Sequence, residues 1–239
     1  MKEAEVKLYS FDELSDDVRK RMAQDASFDV MYYEMEGHDI EWQASLQHFE
    51  QETGFKAKNW EVGYYTSHFS FSDPAGSVLE SEYKPTYAED CKGKLLFRWC
   101  NKFITRNRRG KYYGKLVTHK KDAQHPVGLR HVLRHSKVIA EPITGGWCPW
   151  TGCITDCSLV EPIVDFYLNY HRGKFSEEYS LEDLISDCLD KFFSEWESEY
   201  NAWGNNEGGC VEEELSACYE GELFYEDGTK FNGIYEEAV

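Results

Sequence analysis

The residues of this 239-residue chain predict an α+β fold: an antiparallel sheet with hairpins in the middle of the chain, packed against N-terminal and C-terminal helices. Three observations carry the prediction. Apolar residues recur at helical spacing near both ends, first as Leu14, Val18, Met22 and Ala26 and later across 181–200. Between those ends the period drops to two, as Trp60, Val62 and Tyr64 alternate with Glu61 and Gly63. The 41% hydrophobic and 15% aromatic content is too rich for a disordered chain and sufficient for a real core. One α+β domain over 1–239 accommodates this order. A sub-division into 1–140, helices plus sheet, and 158–239, an acidic helical part, stays open.

The elements follow in order. Ser10 and Glu13 match a capping box that opens a helix over 10–24. A second helix is predicted from Met35 to Phe49, on Ile40, Trp42, Leu46 and Phe49, with Gly54 as its stop. Strands follow around Trp60–Tyr64 and Phe69–Phe71, before a turn at Ser72–Gly76. Residues 94–105 are rich in strand formers and 111–118 return toward them across Arg106–Gly110, which predicts a β-hairpin. The basic stretch 120–137 and the Pro- and Gly-containing 142–152 read as loops. Ser158 is placed to cap a helix over 159–170. Ser180, with Asp183, caps 181–200, whose core stripe is Leu181, Leu184, Ile185, Cys188, Leu189, Phe192 and Trp196. A short helix is expected over 211–219, and Asp227-Gly228 is a two-residue hairpin signal.

Charge is segregated. The formal net charge of −18 divides into −11 over 1–83 (7 basic, 18 acidic), +12 over 84–137 (15 basic, 3 acidic) and −19 over 138–239 (4 basic, 23 acidic). Either the basic middle is covered by the acidic flanks, within one molecule or in a homo-oligomer, or the two signs serve different partners. No run approaches the ~18 apolar residues of a membrane span, and the first residues lack the apolar stretch of a signal peptide. The expectation is a cytoplasmic protein with no membrane partner, whose eight cysteines are reduced and packed as small hydrophobes.

Reaction machinery is not recognisable. Gly-x-x-x-x-Gly-Lys, Gly-x-Gly-x-x-Gly and Gly-x-Ser-x-Gly are all absent, so no catalytic residue and no cofactor is assigned and the chain is read as a non-enzyme. Cys148, Cys153 and Cys157, with His171 as a fourth donor, have loosely metal-like spacing but lack a second tight Cys or Cys/His pair, so no metal ligand is assigned. His131 and His135 sit four apart, yet Val132 and Leu133 stand where a hydrolytic base would be needed. The candidate binding residues are Arg106, Arg108, Arg109, Lys111, Tyr112, Tyr113 and Lys115 around the predicted hairpin turn, with Arg130 and Arg134 beyond it. Guanidinium forks match phosphate geometry, and a tyrosine ring gives a base a stacking platform.

Several blocks resemble a family of uncharacterised proteins, hypothetical or antitoxin-like, carried by phages and other mobile elements of gut bacteria. They are Tyr9–Lys20, Arg109-Gly-Lys-Tyr-Tyr113, Trp147–Cys153 with Leu159–Phe166 and Leu181–Leu184, and Leu223–Thr229. The resemblance implies a genetic setting and no catalytic residues. Together with the acidic C-terminal segment it leads to the expectation of an inhibitor of a bacterial defence system, of the anti-CRISPR or anti-restriction type. Such a protein binds an immune effector or nuclease complex in the host cytoplasm and blocks its nucleic-acid site. Two alternatives stand beside it: a nucleic-acid or nucleotide binder using the basic 106–137 segment, and an antitoxin neutralising a toxin.

Overall fold

The computed structural model describes residues 6–80, 85–107 and 148–232. Their architecture is α+β, with helices at both ends and a two-stranded antiparallel sheet in the middle. The described helices are α1 (Asp16–Thr53), α2 (Gly93–Asn107), α3 (Thr155–Asn169), α4 (Leu181–Gly204) and α5 (Cys210–Cys218). β1 (Lys56–Gly63) pairs with β2 (Thr66–Ser72), and the two-residue strands β3 (Leu79–Glu80) and β4 (Pro85–Thr86) form a second antiparallel pair. Among the described residues no helix is long and apolar enough to cross a membrane.

The capping box at Ser10 exists, but it opens a 3-10 turn, Phe11–Glu13, in which the Glu13 carboxylate accepts the Ser10 N–H at 2.9 Å. The two helices expected over 10–24 and 35–49 are one, α1, of 38 residues. Nothing between them breaks a helix: the stretch has no proline, and Ala23, Ser27, Met31 and Met35 continue the buried line at four-residue spacing before Trp42, Leu46 and Phe49 take it up. Gly54, at φ +84°, ends the helix with its N–H on the Glu50 carbonyl at 2.8 Å.

The chain forms two compact units. The first draws on the residues up to His38, on Gly63–Tyr65 and on the residues from Glu197 onward. Its core is Phe11, Leu14, Ala23, Val211, Leu215 and Phe224, with Val18, Met22 and Tyr219 packed around it. Tyr9 and Phe224 exchange backbone hydrogen bonds of 2.9 and 2.8 Å. The Asp227-Gly228 signal is a tight turn between bridged Phe224 and Lys230, with Gly228 at φ +86°. A Cβ there would lie 2.8 Å from both Val18 and Met22.

The second unit comprises Asp39–Val62 and Thr66–Trp196. All seven residues of the predicted α4 stripe are buried to 1% exposure or less. Trp42 stacks on Trp196 with ring centroids 5.7 Å apart, and Phe69 of β2 stacks on Phe193 at 4.9 Å, so the hairpin packs against α4. The Ser180 cap is complete: Ser180 N–H donates to Asp183 Oδ2 at 2.8 Å and Asp183 N–H to Ser180 Oγ at 3.2 Å.

Two expectations fail in this unit. Residues 94–105 are not a strand but most of α2, because Leu96, Trp99, Cys100, Phe103, Ile104 and Asn107 are buried at steps of three and four. Arg106 therefore sits in the last turn of a helix, not in a hairpin turn. Ser158 does not cap α3, which begins three residues earlier at Thr155. It is buried within the helix and donates to Glu195. The α3 N-terminus is organised by Asp156, fully buried, whose carboxylate accepts the N–H groups of Trp150 (2.8 Å) and Thr151 (2.9 Å) and the hydroxyls of Ser45 (2.6 Å) and Thr151 (2.9 Å).

Candidate protein-interaction face

In the first unit charge, not apolar content, is out of balance. Its described residues carry 18 Asp and Glu against 5 Lys and Arg (Lys7, Arg19, Lys20, Arg21 and Lys230), net −13. The described residues of the second unit carry 19 against 10, net −9, over a longer stretch of chain. Ion pairs among described residues of the first unit are Arg19–Asp16 at 2.6 Å, His38–Glu199 at 2.7 Å and Lys230–Glu222. Asp25, Asp29 and Glu36 have no cationic partner among the described residues, and all three are exposed on α1.

The same helix face carries large rings in water. Phe28 is 48% exposed, Tyr32 67% and Tyr33 73%. α1 buries Ala23, Ser27, Met31 and Met35, so residues 25, 29, 32, 33 and 36 are left away from that line, with Phe28 at its edge. Rings and carboxylates then alternate at steps of three and four: Asp25 with Phe28 and Asp29, Asp29 with Tyr32 and Tyr33, and Glu36 with both tyrosines.

The tip of the β1–β2 hairpin extends this surface within the unit. The Phe28 ring meets the Tyr64 ring edge-on at 5.1 Å, and Tyr64 lies 4.3 Å from Tyr65, which is 64% exposed. The tip is pinned by α4. Tyr65 N–H donates to Asn201 Oδ1 at 2.7 Å and Tyr64 Oη to Asn205 Oδ1 at 2.7 Å. Gly204 gives the Tyr64 ring its place, since a Cβ there would lie 2.4 Å from it.

Of the sequence-predicted binding residues, only Arg106 is described. Its Nε lies 2.8 Å from Glu52 Oε2, so this guanidinium is already paired, beside a cavity of about 140 Å³ that Lys102 and Trp99 also line. Arg108, Arg109, Lys111, Tyr112, Tyr113, Lys115, Arg130 and Arg134 lie outside the described residues, as do His131 and His135. Charge summed in blocks along the chain passes over the aromatic and acidic mosaic on α1. Its signal was present in Asp25–Glu36, where three rings sit among four carboxylates.

All eight cysteines are free thiols. Cys148 and Cys157 bring their sulfurs to 3.7 Å, and burial, followed by the Cys157 hydrogen bond, pushes the Cys148 thiol up to about 12. Among the described residues no three His, Cys, Asp or Glu side chains are placed to hold a metal ion. Cys91 is likewise pushed up to about 12 by burial, and Cys100 and Cys188 are raised for the same reason, which keeps these sulfurs protonated and inert. Comparison with protein-family models, with curated proteins and with solved structures finds no match to this chain.

Proposed function

We propose that this protein is a non-enzymatic inhibitor of a bacterial defence system, of the anti-CRISPR or anti-restriction type, carried by a phage or other mobile element. It binds a nuclease or effector complex in the host cytoplasm and occupies the site that otherwise takes nucleic acid. The observation that carries this reading is the first unit, net −13 over its described residues, whose exposed Asp25, Asp29 and Glu36 have no cationic partner among the described residues and lie beside exposed rings. Nucleic-acid channels are lined by Lys and Arg that track phosphates and by platforms that stack bases. A surface of carboxylates and rings offers those channels the same two kinds of contact. Its association is fast and salt-sensitive. The resemblance of the blocks at 9–20, 109–113, 147–153, 159–166, 181–184 and 223–229 to mobile-element proteins supports the setting.

The test is a plaque assay in strains carrying defined defence systems, with and without the protein, joined to pull-down of the purified effectors at about 50 mM and about 500 mM salt. Protection against one system, with capture of its effector that weakens at the higher salt, is expected. No protection in any strain and no captured effector would sink the reading. In mobility-shift assays the protein alone should leave DNA and RNA unshifted; a salt-sensitive shift would instead favour direct nucleic-acid binding through 106–137.

A further inference from the structure

Resting on that reading, we infer that the α1 face from Asp25 to Glu36 is an arginine-selective docking surface, whose occupant is a protein surface presenting arginine side chains. The argument begins with what the face exposes. Three rings, Phe28, Tyr32 and Tyr33, are between 48% and 73% exposed on a helix that had a buried side available. Exposed aromatic clusters of this kind mark interaction surfaces, and tyrosine is enriched among the residues that dominate them.

Charge then selects the occupant. An apolar partner would remove Asp25, Asp29 and Glu36 from water without pairing them, at a large desolvation cost. A nucleic acid is repelled by the same three groups and by the net −13 of the unit's described residues. A cationic partner remains, and the rings distinguish the two cations. Residues three and four apart on a helix have Cβ atoms roughly 5–6 Å apart. A guanidinium within roughly 6 Å of a ring centroid is attracted to its face. One planar guanidinium can therefore lie on a ring and fork onto a carboxylate one turn away, for example on Tyr32 or Tyr33 with Asp29 or Glu36. A lysine ammonium is a strongly hydrated point charge with no plane to stack, so it gains from the carboxylates and little from the rings.

The experiment measures binding of labelled nona-arginine and nona-lysine peptides to the full chain by fluorescence anisotropy at about 50 mM salt. The native protein should bind nona-arginine about tenfold more tightly than nona-lysine. Tyr32→Gln with Tyr33→Gln should bring the two peptides to near-equal affinity and leave nona-lysine unchanged. Asp25→Asn, Asp29→Asn and Glu36→Gln together should weaken both peptides. Thermal melts check that these exposed changes leave the fold intact. Equal affinity for the two peptides in the native protein, or an unchanged ratio in the tyrosine variant, overturns the inference. A defence effector captured equally well by the tyrosine variant also overturns the face while leaving the inhibitor reading in place. Arginine selectivity with no protection in any strain and no captured effector upholds the face and sinks the inhibitor reading.

Discussion

Asp156 shows how much one side chain can organise. It has no exposed surface and takes four donors, two of them backbone N–H groups of the loop at Trp150 and Thr151. A buried carboxylate is tolerable only with such partners. Asp156→Asn exchanges an oxygen acceptor for an amide donor that faces donors. It should destabilise the fold by about 3 kcal/mol, read as a lower urea midpoint with an unchanged slope. No sequence pattern announces this residue. Its helix was legible, but the choice of Ser158 as the cap followed a local rule, and the observed start depends on Ser45, more than a hundred residues away. The loop cysteines are visible as a spacing, and spacing does not reveal that partial burial raises the Cys148 thiol.

At the level of elements, α4 is plainly legible in the sequence. Its stripe and its Ser180–Asp183 box are both present, because they are local and agree with each other. Ser180→Ala should therefore cost about 1 kcal/mol, lowering the melting temperature by about 2–4 °C. α2 was misread for the opposite reason. Leu95-Leu96-Phe97 and Phe103-Ile104 look like strand material when counted by residue type, whereas the burial of Leu96, Trp99, Cys100 and Phe103 follows a helical period. The sequence pattern splits α1 into two pieces because its buried line changes from small residues and methionines, Ala23 to Met35, to the larger Trp42 and Phe49. All of the candidate face except Glu36 lies in the stretch between those two predicted helices, where the sequence pattern leaves a gap and the structure continues the helix.

For the whole molecule the dominant fact is net charge, −18 over 239 residues, with a first unit at −13 over its described residues. Like charges without partners repel one another in the compact state, and salt screens them over about 10 Å at 0.1 M. Thermal stability should therefore rise as sodium chloride is raised from about 20 mM to about 500 mM, by a few degrees. A flat or falling melting temperature would mean that the carboxylates are matched by cations after all. The three-block charge pattern was legible from residues alone. How those blocks are dealt out in space was not, because the first unit joins the two chain ends, which contribute to it together only once folded.

The hairpin tip carries one more consequence. Tyr65 is held at φ +53°, a backbone conformation that glycine and asparagine enter readily and a tyrosine enters at a penalty of about 1–2 kcal/mol. The side chain offsets that penalty: Asn205 Nδ2 donates to Tyr65 Oη at 2.9 Å, a bond that glycine or asparagine at this position could not reproduce, so the strained residue doubles as the latch that fixes the tip to the helix behind it.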